Sequence, residues 1–345
     1  MILPDQVIQV DRRTFLGGVV AAAVGRRLGL PLARATDGGP RAAAGEVPRR
    51  VLGRTGESVS IIGLGGAHIG LQRDAGESIR IVRAAVDAGI TFLDNSWDYN
   101  DGQSELRMGE ALRDGYRDRA FLMTKFDGRD WAAASRQIDE SLRRLRTDHL
   151  DLLQFHEIIR PTDPQRIFAP HGAIEAALAA RKAGKTRFLG FTGHKSPEIH
   201  LAMLEACDAH GFVPDTVQMP LNVLDASYDS FQARVLPVLV QRGIGVLGMK
   251  PLADGFVPRS GAVPPEDALR YAMSVPGVAV TITGIDALPV LDQALRLARG
   301  FQPFSIGARR ALEQEAAAVA ANGRFEAYKS GHTFDSTYHH PEWLG

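Results

Sequence analysis

The chain has 345 residues, 45% of them apolar and 23% charged, enough to bury one large core or two smaller ones. Forty basic side chains balance forty acidic ones, so the charge excess that a nucleic-acid footprint or a polybasic membrane patch requires is missing. A single cysteine, Cys207, excludes an internal disulfide framework and a Cys-ligated zinc or iron–sulfur site.

In chain order, Asp11-Arg12-Arg13-Thr14-Phe15-Leu16 precedes a small apolar run, Gly17 to Gly25, and Ala33-Arg34-Ala35 follows as an A-x-A cleavage site. The pattern resembles a twin-arginine export signal. It implies the Tat machinery as a partner, a mature start at Thr36 and a destination in the periplasm or cell exterior. The alternative is a disordered Ala/Gly/Arg extension on a cytoplasmic protein. The run is shorter than the roughly 20 apolar residues that span a bilayer, and no other segment is long and apolar enough to cross one, so the mature protein is expected not to be membrane-embedded. Residues 1–45 are therefore read as signal and linker, 46–303 as a barrel, and 304–345 as a C-terminal helix and tail.

From Val47 the chain alternates. Arg50 to Gly56 reads as one arm of a hairpin closing the bottom of the fold. Then come strand 60–64, helix 77–88, strand 91–93, helix 104–112, strand 120–124, helix 131–145 and strand 150–155. Helix 174–183, strand 188–191, helix 197–210 (which buries Cys207), strand 216–218 and helix 228–242 continue the series. Strand 245–249, helix 266–274, strand 278–283 and helix 288–299 complete it. Eight strand–helix units over roughly 240 residues match the size of a (β/α)8 TIM barrel, and strands this short and apolar suit a parallel sheet covered by helices. A doubly wound sheet would carry a G-x-G-x-x-G turn after its first strand. Gly63-Leu64-Gly65-Gly66-Ala67-His68 lacks the last glycine and opens no helix.

Barrel chemistry sits at the C-terminal ends of strands. Asp94 follows the second strand with Tyr99 five residues on, Lys125 ends the third, and His156 follows the fourth. Acid, phenol, amine and imidazole thus fall on three consecutive junctions. A buried cation beside the phenol is expected to lower its pKa, a carboxylate to orient the lysine, and the imidazole to donate to a developing oxyanion.

These residues also carry a family resemblance, together with Leu52-Gly53-Arg54-Thr55-Gly56, Phe92-Leu93-Asp94-Asn95-Ser96, Ser104-Glu105-Leu106-Arg107-Met108-Gly109, Thr124-Lys125, Asp151-Leu152-Leu153-Gln154-Phe155-His156 and Gly184-Lys185-Thr186-Arg187. From about Pro48 to Arg299 the chain resembles the aldo-keto reductase superfamily. The resemblance implies an Asp94–Tyr99–Lys125–His156 tetrad and a nicotinamide cofactor, NADP(H) or alternatively NAD(H), lying across the strand ends. Gln218 matches the glutamine that holds the nicotinamide amide. Thr192 and Gly193 stand where the family usually has Ser-Asn, and Met249 where an aromatic residue commonly stacks, followed by Lys250, Pro251 and Leu252. Gly284 and Asp286 follow the eighth strand, where many relatives have Arg or Lys, so an inward-facing Asp286 would repel a 2′-phosphate.

The implied function is hydride transfer between nicotinamide and a small-molecule carbonyl or alcohol substrate, with Tyr99 as general acid. A non-catalytic or weakly active nicotinamide-binding member is the alternative, and a lyase or isomerase a remote third. No metal-ligand spacing is visible, and His339-His340 reads as an incidental pair. The tail from Gly307 is expected to form a helix to about Ala321, then an irregular run that folds over the barrel mouth.

Overall fold

The computed structural model describes residues 45–345. The twin-arginine-like motif and its cleavage site lie outside them. Strands β1 (Arg49–Val51) and β2 (Ser58–Ser60) form an antiparallel hairpin, with Arg50 opposite Val59. Eight parallel strands then close a barrel: β3 (Ile62–Gly65), β4 (Phe92–Asp94), β5 (Phe121–Phe126), β6 (Leu150–Phe155), β7 (Thr186–Thr192), β8 (Thr216–Pro220), β9 (Gly245–Met249) and β10 (Val278–Gly284). Each strand pairs with its sequence neighbours, and β10 closes onto β3 with Thr283 opposite Leu64. The (β/α)8 barrel expected from the alternation is the fold.

Side chains alternate between the two faces of a strand, and that parity positions the site. Phe92, Phe121, Met123, Leu152, Leu247, Val280 and Ile282 form the inner core, with Leu52 and Val59 of the hairpin sealing it from below. Two residues further along the same faces, the apolar set gives way to polar residues: Phe92 to Asp94, Met123 to Lys125, and Leu152 to Gln154 and His156. The barrel is therefore dry at its base and polar at its mouth. Gly53, at φ 52°, lies so close to β9 that a Cβ there would meet Gly245 N at 2.3 Å, which fixes the hairpin under the barrel. A second, larger core lies between strands and helices and includes Cys207.

Several of the helices start where a side chain caps them. Asp74 accepts from Gly76 N ahead of helix Ala75–Asp87, and Asp130 from Ala133 N ahead of Trp131–Leu145. Three expectations need correction. The run 60–64 is not one strand: the Ser60 hydroxyl donates to Ile62 O and accepts from Thr91 N, which turns the chain out of β2 and into β3. The helix expected over 228–242 is broken into Phe231–Arg234 and Leu236–Gln241, because Pro237 has no N–H and its ring disfavours helix one turn back. The tail is not irregular. Helix Ile306–Ala320 is followed by short helices Ala327–Ser330 and Ser336–His339 and a turn at Pro341–Leu344. No helix of the described residues is long and apolar enough to cross a membrane.

Candidate active site

A cavity of about 670 Å³ opens at the C-terminal ends of the strands. Asp94, Tyr99, Lys125 and His156 all line it, as do Thr192, Gly193, Gln218, Met249, Lys250, Pro251, Leu252 and Gly284. Asp286 does not: it is exposed, and its backbone carbonyl accepts from Gln72 Nε2, in the loop after β3, at 3.0 Å. The repulsion of a 2′-phosphate expected from Asp286 thus has no cavity-facing carboxylate behind it.

Lys125 is the hub. Its ammonium is buried and donates to Asp94 Oδ1, to Asn95 O at 2.7 Å and to Tyr99 Oη at 3.1 Å, which uses all three of its protons. The Tyr99 ring meets His156 edge-on, with centroids 5.7 Å apart. The phenol departs from expectation. Burial pushes its pKa well above the ordinary value, and Asp94, Asp98, Glu157 and Asp127 push it further. Burial and the four carboxylates outweigh the neighbouring Lys125 ammonium, so Tyr99 holds its proton at neutral pH.

His156 is set by residues that sequence reasoning missed. Its Nδ1 faces Asp127 Oδ1 at 2.9 Å, Asp98 Oδ1 at 3.2 Å and Ser96 Oγ at 3.2 Å. Burial alone would drive the imidazole down, but the two carboxylates overcome it and raise its pKa to about 10. His156 is therefore an imidazolium with Nδ1 anchored and Nε2 left for the cavity. In the same cluster burial opposes Asp98, yet the imidazolium holds it below the usual carboxylate range, while burial and Asp98 push Asp127 above it. Ligand atoms of Asp98, Asp127 and His156 lie within 4.8 Å of one another, a spacing that would suit a cation; the proton on His156 already fills that role. Asp127 stands two residues beyond Lys125 and Asp98 one before Tyr99, and those positions are the sequence signal that was available.

Next to this cluster Arg129 is fully buried. Its guanidinium bonds Asp127 O, His156 O at 2.7 Å, Glu157 O at 2.9 Å and Asp163 Oδ1 at 3.1 Å. It ties the loops after β5 and β6 together, and no spacing in the sequence announces it.

Thr192 Oγ1 and Gln218 Oε1 are buried at the cavity without a hydrogen-bond partner among the described residues, while Gln218 Nε2 donates to Asp94 Oδ2 at 3.3 Å. One hydroxyl and one amide oxygen in want of partners suit the donor and acceptor of a carboxamide. No side chain fits at Gly193 on this backbone: a Cβ there would lie 2.3 Å from Ile158 O and 2.8 Å from His200 Cε1. His339 and His340 are engaged separately, with His332 O and Glu342, and form no pair. Burial pushes the Cys207 thiol up to about 12, which leaves it inert core.

The tail closes one side of the cavity with Thr333, Phe334 and Ser336. Two carboxylates latch it. Glu157 accepts from Ser336 N at 2.9 Å and from Thr337 N and Oγ1 at 2.8 and 2.7 Å. Asp335 bonds His194 Nε2 at 2.8 Å and pairs with Lys195 and His332. Glu157→Gln replaces one accepting oxygen with a donor that faces a backbone N–H. Amide exchange across residues 331–340 is expected to accelerate by about tenfold, the loss of a charge-assisted cap; unchanged protection by hydrogen-exchange mass spectrometry would show that the latch lies elsewhere.

Residues 61–265 match the model of the aldo/keto reductase family. The chain is similar to the L-galactose dehydrogenase of Arabidopsis thaliana, 32% identical over 235 residues, which cover 64% of this chain and 70% of that protein. It is similar to the uncharacterized oxidoreductase YrpG of Bacillus subtilis (strain 168), 30% identical over 226 residues, 60% of this chain and 67% of that one. Among solved structures, the holo form of aldo-keto reductase AKR11C1 from Bacillus halodurans superposes with a TM-score of 0.67 at 23% identity, covering 81% of this chain and 100% of that chain. The thermostable aldo-keto reductase Tm1743, solved in complex with the inhibitor epalrestat, gives 0.63 at 20% identity, covering 77% and 99%. At those identities the two structures speak for the fold alone.

Proposed function

The chain belongs to the aldo/keto reductase family and is an oxidoreductase, and from that premise we propose that it moves a hydride between NADP(H), or alternatively NAD(H), and a small carbonyl or alcohol substrate, with Tyr99 as general acid. The observation that carries this reading is the convergence of Lys125 on Asp94 and Tyr99 at the floor of the cavity, with His156 against the phenol. The nicotinamide, when bound, supplies or accepts the hydride. Thr192 Oγ1 and Gln218 Oε1 would hold its carboxamide, and Met249 offers a flexible apolar cover for the ring.

The chain's own residues do the proton work. Tyr99 keeps its proton at Oη, because burial and the surrounding carboxylates disfavour phenolate. Lys125 holds that oxygen in place, and His156 Nε2, charged, donates to the carbonyl oxygen as negative charge grows there. The test is turnover of purified protein with NADPH and with NADH against aldehydes, ketones and sugars, read by the absorbance of reduced nicotinamide. Silence with both cofactors across the panel would overturn the reading.

The pH dependence follows from the same groups. Reduction needs a protonated phenol and imidazolium, both of which persist past neutrality, so its rate is expected to stay level from about pH 6 to about pH 9. Oxidation of the alcohol needs the phenolate, and should climb over the whole of that range. Parallel profiles in the two directions would remove Tyr99 from the proton-transfer role.

A further inference from the structure

The charges lining the cavity nearly all have partners. Lys125 is held by Asp94, His156 by Asp98 and Asp127, and Glu157 by the backbone of the tail. Lys250 is different. Its ammonium makes no hydrogen bond and no ion pair among the described residues, yet it lines the cavity. It sits over two rings of the tail, 4.7 Å from the Phe334 centroid and 5.3 Å from that of Tyr328.

The position is built. Lys250 occupies the left-handed region at φ 54°, which a lysine adopts only where its surroundings dictate it. Asn222, fully buried, donates from Nδ2 to both Lys250 O at 3.1 Å and Tyr328 Oη at 2.9 Å, and so fixes the loop after β9 and the tail ring to each other. The aromatic faces steady the cation but neutralise none of its charge. Burial pushes its pKa down, the mark of an ammonium short of an anion. The acids nearby are committed: Glu157 to Ser336 and Thr337, and Asp335 to His194, Lys195 and His332. Asp254 is exposed and forms no ion pair with it.

We propose that Lys250 is an anion-recognition residue of the substrate subsite, so that the preferred carbonyl substrate carries a carboxylate or similar anionic group away from its reacting carbon. The proposal rests on the oxidoreductase reading above. An anion at this place has two sources, substrate or cofactor phosphate. Contact of the ammonium with Phe334 and Tyr328, on the tail that closes one side of the cavity, favours the substrate.

The experiment compares para-formylbenzoate with its uncharged methyl ester. In Lys250→Met the ratio of kcat/KM for acid over ester is expected to fall by about tenfold or more, as for loss of a charge-assisted hydrogen bond, and Lys250→Arg should keep most of it. An unchanged ratio overturns the proposal. An unchanged ratio with weakened NADPH binding, read by fluorescence quenching, assigns the ammonium to the cofactor's phosphates. Should the wild-type protein reduce neither aldehyde, the oxidoreductase reading fails while the site is still tested: benzoate is titrated against intrinsic fluorescence. Saturable binding that Lys250→Met abolishes supports the site, and equal binding by both proteins overturns it.

Discussion

Tyr99→Phe is expected to slow the chemical step of carbonyl reduction by at least about 100-fold, within the range of general acid catalysis, while nicotinamide affinity stays nearly the same. The substitution deletes one oxygen. Its ring keeps the edge-on contact with His156, and Lys125 keeps Asp94 and Asn95 O as acceptors. What disappears is the oxygen that accepts from Lys125 at 3.1 Å, and with it the proton that burial holds there. The groups suited to the carboxamide, Thr192 and Gln218, do not touch the phenol's oxygen. Single-turnover reduction separates chemistry from binding. Undiminished single-turnover rates in this variant would transfer the acid role to another group, and His156, as imidazolium, would be the first candidate.

The tetrad was legible because strands impose a period of two and barrels put chemistry at one end. Once Phe92, Met123 and Leu152 face inward, Asp94, Lys125 and Gln154 must as well, and the junction residues Tyr99 and His156 follow from spacing. The state of the phenol was not legible. The sequence puts Asp98 beside the tyrosine, but only the fold brings Asp127 and Glu157 close enough, from two further loops, to act on the same phenol. The place of Asp286 was not legible either: a residue two positions past a strand end has no fixed parity, and here it is exposed and outside the cavity lining. The tail latches depend on partners some 180 residues apart, as with Glu157 and Thr337, and no local pattern encodes such a pairing.

Arg129→Met is expected to cost about 3–5 kcal/mol of stability, the scale for removing one partner from a buried ion pair. Arg129 and Asp163 are both wholly buried, and they pair at 3.1 Å. The guanidinium also satisfies the carbonyls of Asp127, His156 and Glu157. Methionine fills the volume but donates nothing, so three carbonyl oxygens and one carboxylate oxygen lose their donor inside the protein. Asp163 retains Ile159 N and Arg160 N on its other oxygen, which limits the loss and argues against outright unfolding. Arg129→Lys keeps the charge, but three donors on a flexible stem cannot reproduce a planar fork that spans two loops, so its cost should be smaller yet still clear. Combining Arg129→Met with Asp163→Asn should recover part of the loss, because the orphaned carboxylate is then neutral. The readout is the urea midpoint at constant slope. Because the same guanidinium holds the backbone on either side of the His156–Asp127 contact, the variant should also weaken reduction at temperatures where it remains folded. A loss below about 1 kcal/mol, the net worth of an ordinary hydrogen bond, would mean that water replaces the guanidinium and that the floor of the site is not held from Arg129.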